Sequence, residues 1–276
     1  MQDAKAKEVH MSEEFELTLR VCAQDPGHLF CAVAGLRSIG CYELVPAGAS
    51  VVHDRYFDTD CGRLMHGRFA LRLRQDRGRT LLGLKGKERI DARGAIRRLE
   101  IEGEWSEDML AHVLHAAGLI PRRSPVFLPR DPVSTLSGLG LRVIQCRRME
   151  RTGMHVVDTR MQAEGTVGEL ALDTVRYQAA GTVFMHHEIE IEASSQGSED
   201  MVADLAALLQ KEFPGALCRW DHNKLITGLA LQALAAQHPA GPSSPEGIVI
   251  PGQWYERIED WIRRHRDFPG QAERHR

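Results

Sequence analysis

Five stretches of the sequence alternate between apolar and polar residues, with Ala70, Ala171 and His187 as exceptions. In the first, residues 14–21, the odd positions are apolar and the even positions are polar. The other four span residues 68–74, 98–104, 169–173 and 186–192. Successive side chains of a β-strand point to opposite faces, so each stretch predicts a strand with one apolar and one charged face.

The remaining strands and helices follow from shorter patterns. Further strands are predicted at 51–56, 80–85, 141–151 and 155–159. Helices are predicted to begin after Asp25, Ser106, Ser198 and Asp221, since Ser and Asp cap helix N-termini. Another helix is predicted at 254–266. The first helix is predicted to end at Gly40, and four prolines within 120–137 predict a loop or an edge there. The expected fold class is α+β, in which apolar helix faces cover the apolar face of the strands.

The charged face of these strands has two interpretations. In the first, an antiparallel sheet exposes its polar face to water, which is common. In the second, the sheet closes on itself, and its charged face points inward and binds a highly charged ligand. Alternation by itself favours the first.

Composition limits the classes of partner. The 276 residues carry a net charge of -3, so no overall positive field predicts nonspecific nucleic-acid binding. No apolar run approaches the ~20 residues that span a bilayer, and residues 1–12 lack the apolar core of a secretion signal. The six cysteines form no C-x-x-C pair and predict reduced, mostly buried thiols, neither a disulfide framework nor a zinc site. We expect a cytoplasmic protein that binds neither nucleic acid nor membrane.

Two groups of charged residues could carry chemistry. Carboxylates two positions apart on a strand share a face at ~7 Å, and such oxygens suit Mg²⁺ or Mn²⁺. The acidic group is Glu14, Glu16, Glu188, Glu190 and Glu192. Arginine forks and lysine ammonium groups suit phosphate oxygens. The basic group is Arg72, Arg74, Lys85, Arg98, Arg148, Arg151 and Lys224. Together they predict a site for a polyphosphate with its metal, although ordinary internal salt bridges would show the same composition.

The order of these motifs resembles the CYTH superfamily, the triphosphate tunnel metalloenzymes. Glu14-x-Glu16 resembles the start of that family's E-x-E-x-K signature, and the resemblance extends to about Leu229. The later motifs are Tyr56-Phe57-Asp58-Thr59-Asp60, Leu71-Arg72-Leu73-Arg74, Leu84-Lys85-Gly86, Arg98-x-Glu100-x-Glu102, Arg148-x-x-Arg151, Leu172-Asp173, Glu188-Ile189-Glu190-Ile191-Glu192 and Asn223-Lys224. Each motif is weak by itself; their joint order makes the match fairly specific.

The resemblance implies a closed eight-stranded antiparallel β tunnel with a charged lumen and helices packed outside. It implies a metal-dependent hydrolase of inorganic triphosphate that uses Mg²⁺ or Mn²⁺. It also implies the roles of individual residues. The metal ligands would be Glu14, Glu16, Glu188, Glu190 and Asp173, with Glu100 and Glu102 completing the lumen. The substrate ligands would be Arg72, Arg74, Lys85, Arg98, Arg148, Arg151 and Lys224. The catalytic residues would be Glu14, Glu16, Lys85 and Arg151.

One position departs from the family signature. Thr18 stands where the signature has lysine, and Arg20, one strand repeat later, would lie ~7 Å away. The alternatives are therefore an adenylate cyclase, a thiamine or nucleoside triphosphatase, and a noncatalytic binder of polyphosphate or nucleotide.

The predicted domain organisation has four parts. They are a tail at 1–12, the tunnel domain at 13–237, a Pro/Gly/Ser-rich linker at 238–251, and a C-terminal helix and tail at 252–276. The apolar stripe of the last helix (254–266) either docks on the main domain or forms a homodimer or partner surface.

Overall fold

The fold is described from a computed structural model of the chain. The description covers residues 10–86, 89–90, 96–119, 127–161, 165–195, 197–237, 247–265 and 273–274. The predicted tail at 1–12 and linker at 238–251 lie mostly outside it, and so does the side chain of Glu14.

One mixed sheet forms the centre of the molecule. Eight of its strands are long: β1 His10–Val21, β3 Tyr42–Thr59, β4 Ala70–Asp76, β5 Arg79–Lys85, β7 Ile96–Glu104, β8 Leu141–Asp158, β9 Gly168–Ala179 and β10 Thr182–Ala193. Five are short: β2 Ser38–Ile39, β6 Arg89–Ile90, β11 Leu217–Arg219, β12 Ile248–Val249 and β13 Glu273–Arg274. Seven helices accompany them in the described residues: α1 Pro26–Ala34, α2 Arg63–His66, α3 Glu107–Ala116, α4 Pro132–Gly138, α5 Glu199–Glu212, α6 Lys224–Gln237 and α7 Gly252–Arg264.

The order of neighbouring strands explains how the charged faces meet. The sheet runs β11-β1-β10-β9-β8-β3-β4-β5-β7-β6-β13, and β1 additionally pairs with β7. All pairs of long strands are antiparallel, whereas β12 pairs in parallel with β10, and β13 pairs in parallel with β6. The antiparallel α+β prediction is confirmed. The prediction of a closed eight-stranded sheet is wrong, because the sheet formed by the described residues has thirteen strands and its path ends at β11 and β13. Two-residue and three-residue strands, too short to show alternation, account for the excess.

Three apolar clusters hold the helices on the sheet. The first joins β1 to α1 and α5, and includes Leu19 and Leu205. The second joins β9 and β10 to α6 and α7, and includes Phe184 and Ile258. The third joins β4 and β5 to α3. The helices therefore cover the apolar face of the strands, as the alternation predicts.

Three helices begin directly after the N-cap residues predicted from the sequence. Asp25, Ser106 and Ser198 each accept a hydrogen bond from the third following backbone N–H, which satisfies a donor at the helix start. α1 ends at Ala34, earlier than Gly40 predicts. Residues 132–138, predicted as loop, form α4, because Asp131 caps it and Pro132 occupies its first turn, where proline needs no N–H partner. β12 similarly lies within the predicted linker.

The cysteine prediction is wrong in two respects. Cys22 and Cys218 form a disulfide, and Cys31, Cys61 and Cys146 are exposed. The pair is 196 residues apart in sequence, and only the pairing of β11 with β1 brings the two cysteines together. None of the helices in the described residues is long and apolar enough to cross a membrane.

Candidate active site

The charged faces of the long strands surround a cavity of about 220 Å³. Seven long strands and the first residues of α6 contribute to its wall. Among the described residues its basic side chains are Arg68, Arg72, Arg74, Lys85, Arg98, Arg147, Arg151 and Lys224, and its acidic ones are Glu16, Glu100, Glu102, Glu190 and Glu192. A chain of net negative charge thus carries a cavity wall with more cations than anions.

Buried carboxylates behind the wall hold several of these cations. Asp54 of β3 is 1 % exposed and accepts hydrogen bonds from Arg74 (2.8 and 3.0 Å) and Arg147 (2.8 and 3.1 Å). Burial raises the pKa of Asp54, but Arg74 and Arg147 outweigh it and hold that pKa well below its usual range. The ionised carboxylate therefore fixes both guanidinium groups. Arg147 also donates to the Tyr56 hydroxyl at 2.7 Å.

A second group joins β4, β5 and β7. Arg72 Nη2 lies 3.2 Å from Glu100 Oε1 and 2.5 Å from Glu102 Oε2, and Lys85 Nζ lies 3.3 Å from Glu100 Oε2. Gly83 lies between Arg72 and Glu102 in the strand register. A Cβ there would be 3.2 Å from the Glu102 carboxylate, so glycine leaves room for the ion pair.

A third group joins β8, β9 and β10 to α6. Arg151 donates to Asp173 at 2.8 and 2.6 Å and also contacts Glu190. Lys224 Nζ lies 3.1 Å from Asp173, 2.7 Å from Glu190, and in closer contact with Glu188. Burial by itself would lower the pKa of Lys224, but these three carboxylates raise it well above its usual range. The protonated form of Lys224 is therefore strongly favoured.

The start of α6 is tied to the sheet at several points, and this sets the position of Lys224. Tyr177 donates to the carbonyl of Lys224 at 2.9 Å, and Gln145 donates to the carbonyl of Leu225 at 2.8 Å. Asn223 caps the helix by accepting from the N–H of Ile226 at 2.9 Å. Gly228 lies so close to the sheet that a Cβ there would be 2.4 Å from Gln145.

The predicted metal ligands separate into two sets. Glu16 and Glu190 line the cavity, together with Glu192. Glu16 and Glu192 are direct cross-strand partners, a relation that places Cβ atoms about 5 Å apart. Glu188 and Asp173 are 1 % and 0 % exposed, lie behind the wall, and are engaged with Lys224.

The fit to a divalent cation can be tested on these donors. No three His, Cys, Asp or Glu side chains among the described residues form a metal-binding group. Glu16 Oε1 also accepts from Arg98 Nη2 at 2.7 Å. However, Mg²⁺ usually takes one or two protein carboxylates and completes its shell with water and substrate phosphate. The all-oxygen donors of Glu16 and Glu192 fit that requirement.

Arg148 does not lie where the resemblance implies. Its side chain is 42 % exposed, pairs with Glu150 at 2.7 Å, and lines a separate cavity with Arg55 and Arg176. Arg147 takes the cavity position. The physical reason is the strand period of two, because residues three apart, such as Arg148 and Arg151, face opposite sides whereas Arg147 and Arg151 share one.

Two charged wall residues were missed as site candidates. They are Arg68 and Arg147. Strand parity could have identified Arg147 from Arg151. Arg68 has the parity of Arg72 and Arg74 in the stretch 68–74, although it precedes β4 with a left-handed backbone (φ 59°). The other predicted basic residues, Arg72, Arg74, Lys85, Arg98, Arg151 and Lys224, all line the cavity.

Position 18 has a different neighbourhood from the one its signature implies. Thr18 is buried and pairs in register with Glu190, whose carboxylate is 2.7 Å from Lys224 Nζ. Lys224 thus supplies an ammonium group beside the partner of Thr18. Arg20 does not replace it, since its guanidinium stacks over Tyr255 at 4.0 Å.

Comparison with known proteins identifies the family of this fold. The CYTH domain model matches residues 45–214, more than half of the chain. The chain belongs to the CYTH domain family. The match excludes β1 and α6, so the positions of Glu16 and Lys224 rest on the structure. No curated protein matches the chain.

Three solved structures are similar to this chain. The Hippeastrum protein HpAC1, proposed as an adenylyl cyclase and described as having a dominant triphosphatase activity, has a TM-score of 0.51 and 19% identity, covering 80% of this chain and 96% of its own. A proposed adenylate cyclase from Bacillus halodurans has a TM-score of 0.48 and 19% identity, covering 78% and 96%. PH1819 from Pyrococcus horikoshii has a TM-score of 0.46 and 21% identity, covering 79% and 99%. At these identities the first likeness supports the fold alone.

Proposed function

We propose that this CYTH protein is a divalent-metal-dependent phosphohydrolase that cleaves inorganic triphosphate to diphosphate and phosphate. The observation that carries the proposal is a small cavity whose wall has more arginine and lysine side chains than carboxylates and contains the adjacent carboxylates Glu16 and Glu192. A tripolyphosphate carries several negative charges along a short chain, and such a wall matches both its size and its charge.

The basic residues would bind and orient the substrate. Arg72, Arg74, Arg147 and Arg151 are held by buried or half-buried carboxylates, so little side-chain entropy is lost when phosphate binds. In phosphoryl transfer the transition state spreads charge over equatorial oxygens. Cations fixed beforehand stabilise that charge without reorganisation.

Glu16 and Glu192 would hold the metal, with Glu14 on the same strand parity as Glu16. When bound, Mg²⁺ or Mn²⁺ would supply charge neutralisation and activate water. Lys224 and Arg151 outweigh the burial of Glu190 and hold its pKa well below the usual range. Its ionised carboxylate orients these two cations. We assign Glu188 and Asp173 the same supporting task.

The cavity volume favours an inorganic anion over a nucleotide. Sites for drug-sized ligands measure about 300–1,000 Å³, whereas this cavity measures about 220 Å³. One observation favours the nucleotide alternative: the half-buried ring of Phe69 lines the cavity beside Ala70 and could stack on a base. Thiamine triphosphatase and adenylate cyclase activities are therefore included in the test.

The test compares substrates and two matched carboxylates. Purified protein with Mg²⁺ or Mn²⁺ receives tripolyphosphate, ATP or thiamine triphosphate, and phosphate, cyclic nucleotide and binding are measured. We expect phosphate release from tripolyphosphate, reduced at least about tenfold in Glu16→Gln and Glu192→Gln because metal is held less tightly. Glu150→Gln, which changes a half-exposed carboxylate outside the cavity, should retain activity.

Each other result has a defined meaning. Binding of tripolyphosphate without formation of product would favour a noncatalytic binder over a hydrolase. Cyclic AMP from ATP would favour the cyclase. Turnover that is unaffected by both glutamine variants would remove the carboxylates from the mechanism.

A further inference from the structure

A chain of buried polar groups connects the C-terminal helix to the cavity. Tyr255 of α7 has its hydroxyl 2.8 Å from His186 Nδ1, and His186 Nε2 lies 2.7 Å from Glu188 Oε2. The other oxygen of Glu188 contacts Lys224 Nζ. The four residues are 8 % exposed or less. α7 lies outside the matched part of the family domain, residues 45–214.

The hydrogen-bond directions follow from the chemistry of the groups. Lys224 and His186 outweigh the burial of Glu188 and lower its pKa, so the carboxylate is ionised and only accepts. His186 Nε2 must therefore donate to Glu188. His186 Nδ1 and the Tyr255 hydroxyl form the other hydrogen bond of the chain. Burial raises the pKa of Tyr255, so the phenol stays protonated.

Tyr255 is itself held in place from two sides. Its ring lies under the Arg20 guanidinium at 4.0 Å and meets the Trp220 ring edge-on at 5.2 Å. Ile258, Trp261 and Ile262 of α7 pack into the same apolar cluster as α6. The stripe on this helix therefore docks on the sheet, and one of its side chains reaches the support of Lys224.

We propose that Tyr255 and His186 are positioning residues that orient Glu188 and thereby fix the ammonium group of Lys224 in the cavity wall. α7 then contributes to the site by positioning Lys224, in addition to covering the sheet. The proposal rests on the proposed function only where a phosphate substrate is used as the readout, because the position of Lys224 can also be measured without any substrate.

The decisive variant is Tyr255→Phe, which removes one hydroxyl and keeps the ring beneath Arg20. Its matched control is Tyr42→Phe, which removes a buried hydroxyl that donates to Asp204 at 3.0 Å in a different apolar cluster. The loss of one hydrogen bond is expected to change an equilibrium or a rate by about fivefold.

The substrate-independent readout is acetylation of Lys224 by acetic anhydride, followed by mass spectrometry. Lys211, exposed on α5, is the internal reference. We expect Lys224 to react about fivefold faster relative to Lys211 in Tyr255→Phe and at the wild-type rate in Tyr42→Phe. An unchanged ratio in a folded Tyr255→Phe protein would overturn the proposal whatever the substrate is.

The second readout is tripolyphosphate kinetics in a double-mutant cycle. Tyr255→Phe should raise KM about fivefold with kcat nearly unchanged, and it should have no further effect in a Lys224→Met background. Equal effects in both backgrounds would mean that Tyr255 does not act through Lys224. If the wild-type protein neither binds nor cleaves tripolyphosphate, the proposed function fails, and the acetylation result still decides the role of Tyr255.

His186 offers a test by rescue. His186→Gln keeps one donor and one acceptor, whereas His186→Leu keeps neither. We expect the glutamine variant to lie closer to wild type than the leucine variant in both readouts. Equal values for two variants of similar thermal stability would contradict the chain of hydrogen bonds. If His186→Leu does not fold, Tyr255→Phe decides.

Discussion

Arg147 and Arg148 are adjacent in sequence and have opposite surroundings. The side chain of Arg147 is 2 % exposed and bonded to Asp54 and Tyr56, whereas that of Arg148 is 42 % exposed and bonded to Glu150. Burial fixes the Arg147 guanidinium beside the buried carboxylate of Asp54. The exposed ion pair of Arg148 contributes little to the free energy of unfolding. The same residue type therefore has different consequences one position apart.

Glutamine substitutions make this contrast measurable. Arg147→Gln leaves Asp54 with only one of its two described guanidinium partners, so we expect a loss of about 1–3 kcal/mol in unfolding free energy and weaker tripolyphosphate binding. Arg148→Gln should change stability by less than about 1 kcal/mol and leave binding unaffected. Urea unfolding and calorimetric titration measure both. A larger effect at position 148 would contradict the assigned cavity wall.

His187 gives the molecule a pH-dependent stability. Burial, followed by the neighbouring charges of His186 and Arg176, lowers its pKa to about 4. The unfolded chain has an ordinary histidine with a pKa of about 6.5. Between these values the unfolded state binds the extra proton, so this stability is present above about pH 6.5 and is lost as the pH falls toward 4.

We expect the free energy of unfolding of the wild-type protein, measured by urea denaturation, to decrease between pH 7 and pH 5. About 1–2 kcal/mol of this decrease should come from His187. His187→Gln should flatten this dependence, and His155→Gln, at an exposed histidine of β8, should not. An equal slope in wild type and His187→Gln would show that other groups are responsible.

At the scale of elements, the short strand β11 connects two parts of the site. It pairs with β1 through Leu19, Arg20 and Val21, and the disulfide between Cys22 and Cys218 joins the same two strands. The chain then passes through Trp220 and Asn223 into α6, whose first residue is Lys224. The disulfide therefore links β1 to the segment that leads into Lys224.

Cys22→Ser should lower the unfolding free energy by about 2–4 kcal/mol, as is typical of native disulfides. Reductant should lower the wild-type urea midpoint to that of the variant and should not affect the variant itself. Cys146→Ser, at an exposed thiol, is the control. A wild-type midpoint that is insensitive to reductant would mean that the disulfide does not contribute.

At the scale of the whole molecule, a ligand bound in the cavity would couple binding to folding. Its wall is assembled from strands between β1 and β10 together with α6, so the unfolded chain has no equivalent site. A ligand that binds only the folded state stabilises it by about 2.7 kcal/mol at one hundred times its Kd. The expected shift in Tm is about 5–10 °C for a domain of this size.

Thermal unfolding with tripolyphosphate, orthophosphate and sodium chloride at matched ionic strength tests this coupling. We expect the full shift only with tripolyphosphate, since a single phosphate contacts fewer of the wall cations. Equal shifts with all three salts would indicate nonspecific screening.

The sequence by itself determined the charged and apolar faces of the strands, the caps of α1, α3 and α5, and six of the eight basic residues that line the cavity among the described residues. These depend on periods of two and on contacts within one turn, which are local. Only the tertiary structure decided that Glu192 lies opposite Glu16 and that Cys22 meets Cys218. The register between distant strands places these groups, and tertiary pairing, which local patterns do not encode, sets that register. The connection from Tyr255 to Lys224 joins α7 to α6 through β10, so it exists only once all three elements have packed.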